Sequence, residues 1–164
     1  MLRQQWKDRL HCFLFANYSL SPSKLKLPDL SVEAMTQVTQ EDIARFQEQL
    51  GDYPDAIAAL REIEDCEGNL EDAAVVLAIR VGQQPDIANA EWLDSLAKKC
   101  RAAICAEEFR SSLFANNFAP VVGHLAATKL CPALLVTPVL MYVIQQGIDS
   151  FCEPLDTVSE HLSL

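Results

Sequence analysis

The chain has 164 residues, half of them hydrophobic and 22% charged, a balance that fits one globular domain, with or without an extension, and excludes a wholly disordered chain. At this length folding buries roughly 70% of the unfolded surface, so neither a metal nor a disulfide is needed to hold the fold. The net charge of -10 repels nucleic-acid phosphates and anionic lipid headgroups and suits a basic protein partner.

The charge is uneven. Residues 1–34 hold five basic and three acidic groups, against eight basic and twenty acidic in residues 35–164. Trp6, Leu10, Phe13 and Leu14 can form one short amphipathic helix. Tyr18 to Leu30 then carries Ser19, Ser21, Pro22, Ser23 and Pro28, which is linker chemistry. His11 and Asn17 interrupt the apolar run that a secretory signal needs, and a transit peptide fits weakly. The expectation is an N-terminal extension over 1–34, poorly ordered or non-native with Met35 as a candidate true start, followed by one helical domain over 35–164.

From Val38 the signals strengthen. Thr39 and Asp42 have the spacing of a capping box, and Val38 can staple onto Ile43. Ile43, Phe46 and Leu50 share a helical face, and Gly51 stops the helix. Pro54 opens a second helix with Ala56, Ala59, Leu60 and Ile63 inward, and Gly68 breaks it. Asn69 caps a third helix, with Asp72 in the box position and Leu70, Ala73, Ala74 and Leu77 inward, and Gly82 ends it.

In this segment Ala59-Leu60, then Cys66-Glu67-Gly68-Asn69-Leu70-Glu71-Asp72-Ala73-Ala74-Val75-Val76-Leu77, resembles the second half of a ubiquitin-associated (UBA-like) three-helix module. Leu50-Gly51 and Tyr53 stand where that family has its Met-Gly-Phe/Tyr loop, with Leu50 in place of Met and Asp52 as an extra residue. The resemblance covers residues 39–82. It implies a protein-binding module whose surface is Leu50, Gly51 and Tyr53 together with the end of the third helix, Leu77 to Val81. The altered loop speaks against ubiquitin itself as the partner.

Residues 83–89 read as a connector, with Asp86 or Asn89 as the next cap. Trp92, Leu93, Leu96, Cys100, Ala103 and Ile104 then form a helical stripe, opposite Lys98, Lys99 and Arg101. Glu107 to Leu113 either continues that helix or begins another, Asn116-Asn117 ends it, and Pro120 opens the next segment. The stretch from Leu130 to Ile144 holds no charged residue and reads as the buried centre of the fold. Thr137 has the chemistry of an N-cap and Pro138 of a first helical residue, which predicts a central helix from Pro138 to about Phe151 unless Gly147 ends it sooner. Pro132 and Pro138 divide the apolar run and charged or polar residues bound it, so a bilayer span is not expected. Pro154 is expected to stop the last helix, leaving 153–164 as a tail.

Chemistry is sparse. The six cysteines form no CxxC and no zinc-like Cys-His spacing, and read as buried free thiols in a reducing cytosol, which places the protein in the cytoplasm. The acidic run from Glu62 to Asp72 fails as a calcium loop: with Gly68 sixth, Ile63 and Ala74 fall where oxygen ligands are required. No metal, cofactor or catalytic residue is expected. The predicted architecture is an all-α, compact multi-helix bundle, a UBA-like triplet over 39–82 packed on a C-terminal apolar group over 89–152. The predicted role is a non-catalytic protein-interaction or adaptor module with a protein partner of unidentified type, no nucleic acid and no membrane insertion. Two alternatives stay open: a small-molecule or lipid pocket near His124, Cys131 and Tyr142, with or without catalysis, and a homo-oligomer packed through the apolar helix.

Overall fold

The computed structural model describes residues 36–85 and 91–162. The expectations for residues 1–34 and for caps at Asp86 or Asn89 lie outside them. Among the described residues there are eight helices and no β-strand: α1 Gln40–Gln49, α2 Pro54–Asp65, α3 Leu70–Arg80, α4 Trp92–Ile104, α5 Glu107–Phe114, α6 Ala119–Thr128, α7 Ala133–Gln146 and α8 Ile148–Leu162. The fold is an all-α bundle.

The first three helices start and stop where local chemistry places them. The Thr39 hydroxyl accepts from the Asp42 N–H at 3.2 Å, and the Asp42 carboxylate accepts from the Thr39 N–H at 3.1 Å. This is the reciprocal capping box, which satisfies two otherwise orphaned donors. The Asn69 side chain accepts from the N–H groups of Glu71 and Asp72 and so starts α3. The turn between α2 and α3 depends on Gly68. Its φ is +87°, and a Cβ there would lie 2.3 Å from the Val38 carbonyl oxygen. The Val38 N–H in turn donates to the Gly68 carbonyl at 2.9 Å, so the segment entering α1 is pinned to this turn.

Helix α7 is the centre. It packs against α2, α3, α4, α6 and α8. Val136, Val139, Leu140 and Val143 are fully buried along it, as an all-round apolar sequence requires. Its start differs from the predicted one. The helix begins at Ala133 with Pro132 as N-cap, so Thr137 and Pro138 lie inside it. A proline in a helix interior costs about 3 kcal/mol. Starting at Pro138 would instead have released Leu135 and Val136, both fully buried, at roughly 1.5–3 kcal/mol each. Burial therefore outweighs the local stop signal. The Thr137 hydroxyl, no longer a cap, is buried with no hydrogen-bond partner. Gly147, at φ +95°, does end the helix, and α8 leaves at a bend of 87°.

Pro154 does not stop α8 either; that helix runs on to Leu162. Pro154 is exposed, and so is Ser150, four residues before it, so the carbonyl deprived of an N–H donor can be solvated. Arg110 on α5 spans the proline, reaching Asp149 at 3.3 Å and Asp156 at 2.9 Å. The triplet is joined to the rest mainly through α2 and α3 on α7, and α1 adds a second junction at Phe118. Phe46 stacks on Phe118 with ring centroids 4.1 Å apart. Gln49 donates to the Asn116 carbonyl at 2.7 Å and accepts from the Phe118 N–H at 3.0 Å.

Contrary to what their sequence context suggests, the cysteines are not all free thiols. Cys105 and Cys152 form a disulfide that ties the end of α4 to α8, with Cα atoms 5.6 Å apart, and Cys66 is disulfide-bonded as well. Cys100 and Cys131 are free and buried. The pairing was invisible in sequence because 47 residues separate Cys105 from Cys152, and only packing brings α4 and α8 together. Among the described residues, no single helix is long and apolar enough to cross a membrane.

Candidate functional site

The surface expected from the UBA-like resemblance is not presented as one patch. Leu50 and Leu77 are both 0% exposed and belong to the main core, so neither can touch a partner in this conformation. Tyr53 is half-buried, and its ring and hydroxyl lie against Gly123 on α6, where an added Cβ would stand 3.4 Å from the Tyr53 oxygen. Gly51 and Val81 remain exposed. The reason is tertiary. Helices α2 and α3 both pack on α7, and of the loop after α1 Tyr53 lies against α6.

What stays open is the far end of α3. Ile79 is 46% exposed and Val81 37% exposed, and Gly82 to Gln84 beside them are also exposed. Arg80 between the two pairs with Glu62, a carboxylate buried on α2, which anchors this end. Ile79 was not singled out from sequence, although it carried a signal. It is a large aliphatic residue in the last turn of the helix, off the Leu70, Ala73, Ala74, Leu77 stripe.

The three residues of the alternative pocket go to three different partners. The His124 ring packs on Phe109 of α5, centroids 4.5 Å apart. The Cys131 thiol donates to the Pro132 carbonyl at 3.5 Å and is fully buried. The Tyr142 hydroxyl donates to Asp94 on α4 at 3.1 Å.

Tyr142 belongs to a polar cluster where α3, α4 and α7 meet. Asp94 also takes Lys98, one helical turn on, at 2.5 Å. Glu71, at the start of α3, accepts the Leu93 N–H at 3.1 Å. Helix α4 has no side-chain cap of its own, so Glu71 supplies one from another helix. Burial pushes the Glu71 carboxyl up to about 7, with the charges of Asp72 and Asp94 adding to it and hydrogen bonds from α4 opposing it. Burial likewise raises Asp72. Tyr142 is raised by burial and by the charge and hydrogen bond of Asp94. The group can hold and release a proton near neutral pH. Among the described residues, no three His, Cys, Asp or Glu side chains are grouped to hold a metal ion.

No family profile, curated protein or solved structure matches this chain.

Proposed function

We propose that the chain is a non-catalytic protein-interaction module whose contact surface is the C-terminal end of α3. One observation carries the reading: Ile79 and Val81 stand exposed at the end of a helix whose other apolar residues are buried. Single exposed apolar residues are ordinary, but two together on an anchored helix end offer a partner a fixed apolar contact. The position coincides with the end of the third helix that the UBA-like resemblance implies. The overall charge of -10 favours a partner with a basic rim around an apolar centre. The disulfide fits an oxidising compartment rather than a reducing cytosol as its working environment.

The test is affinity capture from extract of the source organism, with mass spectrometry of what co-purifies. Wild type is compared with Ile79→Asp/Val81→Asp, and a thermal scan verifies that both are folded. A stoichiometric partner that the double variant loses supports the module. Equal recovery by both proteins rejects this surface. A Tyr53→Ala variant serves as contrast, because Tyr53 faces α6 and its loss should act on stability before binding.

A second reading, a small-molecule site, rests on a different observation: Glu71 titrates near neutral beside Asp94 and Tyr142. It draws on Tyr142 but on neither His124 nor Cys131. Ligand screening by NMR, read at α3, α4 and α7, checks it. Absence of any shift at Glu71 and Tyr142 across a fragment library counts against it.

A further inference from the structure

Cys66 is the C-cap residue of α2 and is disulfide-bonded. The sequence holds six cysteines. Cys105 is joined to Cys152, and Cys100 and Cys131 are free. Elimination leaves Cys12, outside the described residues, as the one cysteine of this chain able to pair with Cys66. The described chain also begins beside Cys66. The Gln37 side chain donates to the Glu67 carbonyl at 2.6 Å, the Val38 N–H donates to the Gly68 carbonyl at 2.9 Å, and Gln37 forms an antiparallel bridge with Asn69. The residues before Thr36 therefore join the fold at the turn that follows Cys66. Cys12 lies 24 positions before Thr36, a length of chain that reaches up to about 80 Å, so it can return to that turn.

Charge points to the same place. The last turn of α2 holds no basic residue, and Glu64, Asp65 and Glu67 are exposed around Cys66. Their charges add to the negative end of the helix dipole. Near Cys12, by contrast, Arg3, Lys7 and Arg9 stand against Asp8 alone.

We propose that the acidic end of α2 is the docking surface for the chain's own basic N-terminal segment, locked in place by a Cys12–Cys66 disulfide. A small-molecule disulfide such as oxidised glutathione is the oxidant. One cysteine thiolate attacks a glutathione sulfur, forms a mixed disulfide and expels a glutathione thiolate. The second cysteine thiolate attacks the protein sulfur of that mixed disulfide and expels the other glutathione. Two protein thiols are oxidised, one glutathione disulfide is reduced to two thiols, and the two protons pass from the cysteines to glutathione. Reduction runs the same steps backwards and releases the segment from α2.

The test is peptide mapping of the full chain, refolded in a glutathione redox buffer. The sample is quenched with acid, its free thiols are alkylated under denaturing conditions, and the unreduced tryptic digest is read by mass spectrometry. The expected result is residues 10–24 joined to residues 62–80, with Cys100 and Cys131 alkylated. Formation of Cys105–Cys152 in the same sample shows that the buffer oxidises and the chain folds. If that bond forms while Cys12 is alkylated, or while Cys66 is joined to any other cysteine, one of a second chain included, the proposal is wrong. The docking surface has its own readout. Glu64→Lys/Asp65→Lys, at two exposed positions, is expected to lower the equilibrium constant for closing Cys12–Cys66 about 3–5-fold at low salt and to leave that of Cys105–Cys152 unchanged, both read across graded glutathione ratios. An unchanged Cys12–Cys66 constant rejects the acidic end of α2 as the docking surface.

Discussion

Gly68 shows how one position can carry a turn. Its positive φ and the Val38 carbonyl oxygen 2.3 Å from where a Cβ would be are independent objections to any side chain. The clashing atom is backbone and cannot swing aside. Gly68→Ala is expected to cost about 2–4 kcal/mol, measurable as a shift of the urea midpoint at constant slope. Glu71 makes a prediction of opposite character. Its carboxyl rises from an ordinary 4.5 to about 7 in the fold, so between those pH values the folded state binds more proton than the unfolded one. The stability it contributes is full below pH 4.5 and is lost as pH rises through 7. The shift corresponds to roughly 3 kcal/mol at most, and partial exposure brings the expected loss to about 1–2 kcal/mol. Chemical denaturation at several pH values should show this slope for wild type and not for Glu71→Gln, which keeps an acceptor for the Leu93 N–H without the charge. The glycine was legible as a helix break between Cys66 and Asn69. The role of Glu71 was not, because the group it caps belongs to a helix that begins 21 residues later.

At the scale of the element, the short helices obeyed their end signals and the central one did not. Thr39, Asn69, Pro54 and Gly147 act where their chemistry suggests. Those ends are set by bonds within a few residues of the cap. Thr137-Pro138 carries an equally good start signal and is overridden, because α7 is enclosed by five other helices and Leu135 and Val136 must stay inside. The overridden cap leaves a consequence: a buried hydroxyl with no partner. Thr137→Val preserves shape and removes that polar group, and is expected to raise stability by about 1 kcal/mol. Thermal unfolding checks it; a lower midpoint would mean the hydroxyl has a partner in solution. Pro154 is the surface counterpart. Its helix continues because the freed carbonyl can be solvated and Arg110 bridges Asp149 and Asp156 across it.

Across the whole molecule, the disulfide and the packing of the triplet decide what the surface can offer. Cys105–Cys152 closes 47 residues, for which chain entropy gives about 4 kcal/mol as an upper figure and about 2–4 kcal/mol is usual. Cys105→Ser/Cys152→Ser should lower stability by that amount while helical content is kept, to be read by circular dichroism and denaturant titration. The same tertiary packing removes most of the surface implied by the UBA-like resemblance. Leu50 and Leu77 lie in the core, Tyr53 faces α6, and Ile79 and Val81 are left exposed at the end of α3.

Composition, apolar periodicity and caps were enough to specify an all-α bundle, the three helices between residues 40 and 80, the inward stripe of α4 and an apolar central segment, because each follows from interactions a few residues apart. The start of α7, the run of α8 past Pro154, the disulfide and the polar cluster joining Glu71, Asp94 and Tyr142 came only with the folded chain. Each depends on groups brought together from distant positions, and there burial and cross-helix bonds outweigh what neighbours along the chain prefer.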